Sequence, residues 1–236
     1  YLLIPSMSKG NLPAVVVFHS TVPHNMRQSA GIEGPEPIQL GLSLAKAGYV
    51  TLCPRCYIYN GAGFEGEVAG LKKRQPEWTG MGKMLWDGMR CVDALSSLRI
   101  VDKKRIGAVG HSLGAKETLY LSAFDSRIKA AVFSEGGFKM ASTNWDAAWY
   151  LGDQVKRSEF HHDHFELMSL IAPRAFMLIA GGSADADFAM EFTDICKPLF
   201  AGRAQAARFL FHGRGHVFEE PERDAAVTFL NKYLAR

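Results

Sequence analysis

Residues 105–121, RIGAVGHSLGAKETLYL, constrain the fold more than any other stretch of the chain. RIGAV is an apolar run of strand character and LGAKETLYL has helical spacing, and only Gly110, His111 and Ser112 separate them. A strand that enters a helix through so short a bend sets Ser112 in a strained conformation at the strand's carboxyl end. The first helix amides, beginning with Leu113 N–H, then gather around its hydroxyl. Glycine is required at 110 and 114, because a side chain at either position would collide with the neighbouring strand or helix.

Around this centre, strand-length apolar runs alternate with helical periodicity, which predicts a mostly parallel, doubly wound sheet with helices on both faces. Strands are expected at residues 1–4, 14–19, 49–53, 105–109, Ile128–Ser134, Ala175–Ala180 and Ala207–Phe211. Helices are expected at 37–47, 79–98, Leu113–Phe124, 188–200 and Glu220–Leu234. Residues 57–77, rich in glycine and charge and without a period, read as a long loop near the carboxyl end of the sheet. From 136 to 172 the rhythm breaks, which predicts a lid-like insertion over the carboxyl edge of a single domain spanning 1–236.

The charges exclude some partners. Twenty-seven Lys and Arg against 24 Asp and Glu are scattered rather than gathered in a basic run, so nucleic acid is not an expected partner. No apolar run approaches the roughly 18 residues that cross a bilayer, so no membrane span is expected. The chain opens at Tyr1 directly in strand pattern, which suggests upstream residues are missing; compartment and oligomeric state are not legible. Cys53, Cys56, Cys91 and Cys196 are too few for a disulfide framework and read as buried thiols. Cys53-Pro-Arg-Cys56 has redox spacing, yet it follows a strand instead of opening a helix. His161, His162 and His164 lack the i, i+4 spacing of helix-borne zinc ligands, so neither metal nor organic cofactor is expected.

A serine hydroxyl needs a base, and a base needs an acid to orient it. His216 is the candidate base, in HGRGH between the last strand and the last helix, with His212 as the alternative. Asp185, in the loop after AFMLIA, is the expected acid; Asp187 stands two residues on, and Glu135, at the end of the strand before, is the possible alternative acid. The second oxyanion donor is assigned to Thr21 N–H, with Ser20 and Val22 as neighbours that could serve, while His19 reads as a brace for that loop. Arg55, at the carboxyl end of a strand, is a candidate for holding a substrate carboxylate or sugar hydroxyl. Trp145 and Trp149, with Tyr150, are candidate walls of a substrate pocket.

The segments IVDKKRIGAVGHSLGAKETLYLSAFDSRIKAAV, LIAPRAFMLIAGGSAD and FHGRGH resemble the nucleophile, acid and base regions of the dienelactone hydrolase and acetyl xylan esterase-like branch of the α/β hydrolases. The resemblance implies an α/β-hydrolase fold and cleavage of small carboxylic esters through an acyl-enzyme, with acetyl esters of carbohydrate as the expected substrates. Dienelactone hydrolases proper use cysteine where this chain has Ser112, a departure that favours ordinary esters over lactones. Glucuronoyl esterases are also similar, in the positions of Glu135 and Lys116, but they carry Arg where this chain has Leu113. A glucuronoyl esterase, a peptidase-like relative and a non-catalytic binding module of the same fold are the alternatives.

Overall fold

A computed structural model describes residues 1–6 and 10–235. Seven strands form one sheet: β1 (Leu2–Leu3), β2 (Leu12–Phe18), β3 (Val50–Leu52), β4 (Val101–His111), β5 (Ile128–Ser134), β6 (Ala175–Ala180) and β7 (Ala207–Phe211), in the order β1-β3-β2-β4-β5-β6-β7. The short β1 runs antiparallel to β3 and every other neighbouring pair is parallel. This is the mostly parallel sheet that the alternating pattern predicts, and it agrees with the α/β-hydrolase fold that the resemblance implies. The central strands show why: all of β6, AFMLIA, and residues 13–18 of β2 are buried, as a sheet covered on both faces requires. At the open edge β7 has no fully buried residue.

The helices are α1 (Met26–Ser29), α2 (Leu40–Lys46), α3 (Gly63–Arg74), α4 (Gly80–Ser97), α5 (Leu113–Phe124), α6 (Phe165–Ile171), α7 (Ala189–Leu199) and α8 (Glu220–Leu234). Thr79 caps α4, its Oγ1 accepting from Gly82 N–H at 2.9 Å, and Met81, Met84, Val92 and Leu95 lie on the buried side of that helix. The apolar character of α5 extends around most of its circumference, and its residues from Leu113 to Leu119 are all buried. That burial fixes the axis of α5, and with it the position of Ser112 at its start. No helix among the described residues is long and apolar enough to cross a membrane.

Two regions differ from expectation. Residues 57–77 are not a loop: a 3-10 turn at Tyr57–Tyr59 precedes α3. Three glycines and only two buried residues, Val68 and Leu71, leave α3 almost no periodic signal. Lys72, Lys73 and Arg74 in its last turn favour the helix through its dipole. The 136–172 segment holds two 3-10 turns and α6, and it contributes to the core. Trp145 is fully buried there, its Nε1–H donating to the Gly137 carbonyl at 2.7 Å.

Candidate active site

Ser112 stands at φ 58°, ψ −119°, in the left-handed region that a side chain occupies only at a cost. The flanking glycines make the bend possible. A Cβ on Gly110 would lie 2.2 Å from the Gly114 backbone, and one on Gly114 would lie 2.5 Å from the Phe18 carbonyl oxygen. The bend is pinned to the next strand by Ser112 N–H donating to Ser134 O at 2.8 Å. Leu113 N–H, the first amide of α5, has no intrahelical acceptor by position.

The loop after β7 brings His216 to this serine, with Nε2 2.9 Å from Oγ. Two backbone bonds fasten that loop to the end of β6: His212 N–H to Ala180 O at 3.0 Å and Gly215 N–H to Gly181 O at 2.6 Å. His212 thus ends the strand, and His216 reaches the hydroxyl. On the other side of the ring, Nδ1 lies 3.3 Å from Oε2 of Glu135. A carboxylate only accepts, so Nδ1 carries the proton and Nε2 is left to accept from the Ser112 hydroxyl.

Glu135 is fully buried and, like Ser112, has a positive φ, 48°. Burial alone would raise its pKa. The bond from His216 and those from the backbone N–H groups of Gly181, Ala184 and Asp185 outweigh it and hold the carboxyl below its ordinary value. Asp185, expected beside the imidazole, is elsewhere. Its carboxylate turns inward to accept from Gly137 N–H, at 2.9 Å, and from Phe138 N–H, and burial pushes its pKa up to about 6. Asp187 accepts from Ala189 N–H near the start of α7. The reason is local: the β5 loop bends at Glu135 under the imidazole, whereas the β6 loop presents its amides there and sends its own acid to the insertion.

The remaining candidates divide. His19 does brace its loop: Nε2 accepts from Cys56 N–H at 3.0 Å, so Nδ1–H donates to Ser20 O at 2.7 Å, and burial lowers its pKa to about 4. Ser20 Oγ–H donates to His111 O at 3.1 Å, holding Thr21 beside Ser112 on a shared pocket. Arg55 is exposed and makes no hydrogen bond or ion pair among the described residues. Trp145 is no pocket wall; its ring lies under the Lys116 ammonium at 3.7 Å, and burial lowers the Lys116 pKa to about 7. Trp149 packs edge-on against Phe64, with ring centroids 5.4 Å apart, in a surface depression whose lining does not include Ser112. His162 pairs with Glu166, and His164 is buried between the Phe138 carbonyl and the Tyr120 hydroxyl. Cys53, Cys56 and Cys196 are buried thiols, and burial raises the pKa of each.

Sequence reasoning missed His111 as a link. Its Nδ1 lies 3.1 Å from Ser134 Oγ and its ring centroid is 4.8 Å from that of His216. Burial lowers its pKa to about 3, so the ring is neutral. It therefore ties the end of β5 to the imidazole. Its position beside the serine was the available signal.

Residues 1–234 match the dienelactone hydrolase family. A protein described as the hydrolase YtaP of Bacillus subtilis (strain 168) is 27% identical over 254 residues, covering 99% of this chain and 83% of its own. Among solved structures, a glucuronoyl esterase from Teredinibacter turnerae T7901 superposes with a TM-score of 0.69 at 20% identity, over 98% of this chain and 68% of its own. A protein described as an acetyl xylan esterase from Bacteroides fragilis NCTC 9343 gives 0.64 at 17% identity, over 99% and 71%.

Proposed function

The chain belongs to the dienelactone hydrolase family, and on that premise we propose that it is a serine hydrolase of carboxylic esters working through Ser112, His216 and Glu135. The observation that carries the reading is the line of contacts Ser112 Oγ, His216 Nε2, His216 Nδ1, Glu135 Oε2, with 2.9 Å and 3.3 Å at its two joints. His216 takes the Ser112 proton as Oγ attacks the ester carbonyl, and Glu135 stabilises the imidazolium that forms. The oxyanion is held by Leu113 N–H and Thr21 N–H. His216 then returns the proton to the leaving alkoxide, and water, deprotonated by the same ring, releases the acid from the acyl-enzyme. None of these steps calls on a metal or an organic cofactor.

The choice of Glu135 over Asp185 rests on which carboxylate meets Nδ1. The finer expectation of an acetylated carbohydrate substrate loses one of its supports, because Trp145 belongs to the core and Trp149 lies in a separate depression. Peptide cleavage has no feature of the site in its favour. Ser112→Ala is expected to lower p-nitrophenyl acetate turnover by at least about 10⁴-fold, with an unchanged thermal midpoint and no labelling by a fluorophosphonate probe. A folded Ser112→Ala protein that keeps the parent rate removes the mechanism, and a parent protein inert to the probe favours a non-catalytic module.

A further inference from the structure

A pocket of about 460 Å³ opens directly at Ser112 and His216. Its lining beyond the reacting groups comes from two distant stretches, Val22, Pro35, Pro37 and Ile38 after β2, and Val217 and Phe218 after the candidate base. None of these side chains can donate or accept a hydrogen bond. The polar residues the pocket meets are those of the centre itself, His111, Ser112 and His216, together with Ser20, Thr21 and Glu219. Ser20 is engaged with the His111 carbonyl, and the Glu219 carboxylate caps α8 by accepting from its third backbone N–H. No Asn, Gln, Asp, Lys, Arg, Trp or Tyr is in the lining.

A sugar ring is recognised through many directional hydrogen bonds, and beyond the reacting groups this lining offers few, chiefly the Thr21 hydroxyl; its one aromatic ring, Phe218, packs against His111 with centroids 5.5 Å apart. An acetyl group would fill a small part of a space in the range that usually accommodates a ligand of drug size. We infer that the pocket receives an alkyl or aryl portion of the ester, several carbons long, so that the Ser112 centre acts on esters with a sizeable apolar group in preference to acetylated sugars. This inference rests on the ester-hydrolase reading. Each methylene moved from water onto such a surface is worth roughly a fourfold gain in kcat/KM, until the pocket is full.

The test uses two homologous series, p-nitrophenyl esters from acetate to octanoate and n-alkyl acetates from ethyl to hexyl, with acetylated xylan as the polysaccharide arm. In one series kcat/KM is expected to climb about threefold to fourfold per carbon over at least three carbons, and to exceed the value for acetylated xylan. The responding series identifies the acyl or the alcohol portion as the occupant. Ile38→Trp, which fills the pocket, should flatten that climb, and Val217→Trp, from the opposite stretch, should do the same if Ile38→Trp fails to fold. A flat or falling trend in both series, a climb that survives both folded variants, or fastest cleavage of acetylated xylan overturns the inference while leaving the ester-hydrolase reading intact. Failure of that reading has a different signature: no turnover of any ester and no probe labelling at Ser112.

Discussion

Glu135 and Asp185 belong to loops leaving adjacent strands at the same edge of the sheet, and both are buried, yet their surroundings differ in kind. Glu135 faces a proton-carrying imidazole nitrogen and receives three backbone N–H groups from the loop after β6. Asp185 faces two backbone N–H groups of the segment after β5, and Lys116, the cation that influences it, is itself pushed down to about 7 by burial. The result is one carboxyl held below its ordinary value and one raised. Each loop therefore supplies an acid to a partner outside itself, but only the β5 loop supplies it to His216. A strand-end carboxylate becomes functional through the donors aimed at it, and position in the fold alone does not decide between two candidates.

The largest expected effect tests that division directly. Glu135→Gln should lower kcat by about 10³- to 10⁴-fold, because the amide no longer holds the Nδ1–H tautomer or offsets the imidazolium charge. Asp185→Asn should lower it less than about tenfold. Steady-state rates on one ester decide the matter, and a reversed order of the two variants would reinstate Asp185 as the acid that serves His216.

Stability against pH sharpens the comparison further, since the two acids pull in opposite directions. Glu135, with a lowered pKa, contributes stability that is present above its unfolded value and lost as pH falls through the folded one. Asp185, raised from 3.8 to about 6, contributes stability that is fully present below pH 3.8 and lost as pH rises through 6. The second contribution is about 3 kcal/mol over that window. Urea unfolding from pH 3.5 to 7 should show Asp185→Asn gaining on the parent protein by this order as pH rises, and Glu135→Gln losing ground as pH rises towards 4.5 and keeping a constant deficit above it. Parallel profiles for both variants would mean that the two sites do not differ as described.

How much of this was legible in the sequence follows from what each feature depends on. The central strands are buried on both faces, so their apolar runs are continuous and their places could be read directly. The Ser112 bend is as legible, because two glycines with no room for a Cβ leave a mark in the chain itself. Helix α3 left none, since Val68 and Leu71 alone are buried in its twelve residues. Asp185 was expected beside His216, where Glu135 stands, because the sequence shows which carboxylates follow strands but not which way a loop turns its amides. The positive φ at Glu135 occurs at a residue type that gives no hint of it. The apolar pocket was invisible for a related reason: its walls lie nearly two hundred residues apart, with no spacing to connect them.

The smallest effect concerns a second route by which the β5 loop reaches the imidazole. Ser134 is buried immediately before Glu135; its Oγ lies 3.1 Å from His111 Nδ1, and the His111 ring backs that of His216. Nothing comparable runs from the β6 loop, whose ties to this centre are backbone amides. Ser134→Ala removes one hydrogen bond, worth about 1 kcal/mol, and should lower kcat about fivefold. Because Ser134 lies outside the lining of the pocket at Ser112, KM should stay within about twofold. Double variants separate the routes. Combined with Asp185→Asn, the loss from Ser134→Ala should multiply independently, whereas combined with Glu135→Gln it should largely vanish, because an imidazole already released from its acid gains little from being braced. An equal loss in both backgrounds would show that Ser134 and His111 only support packing, and would leave Glu135 as the sole link from the β5 loop to the base.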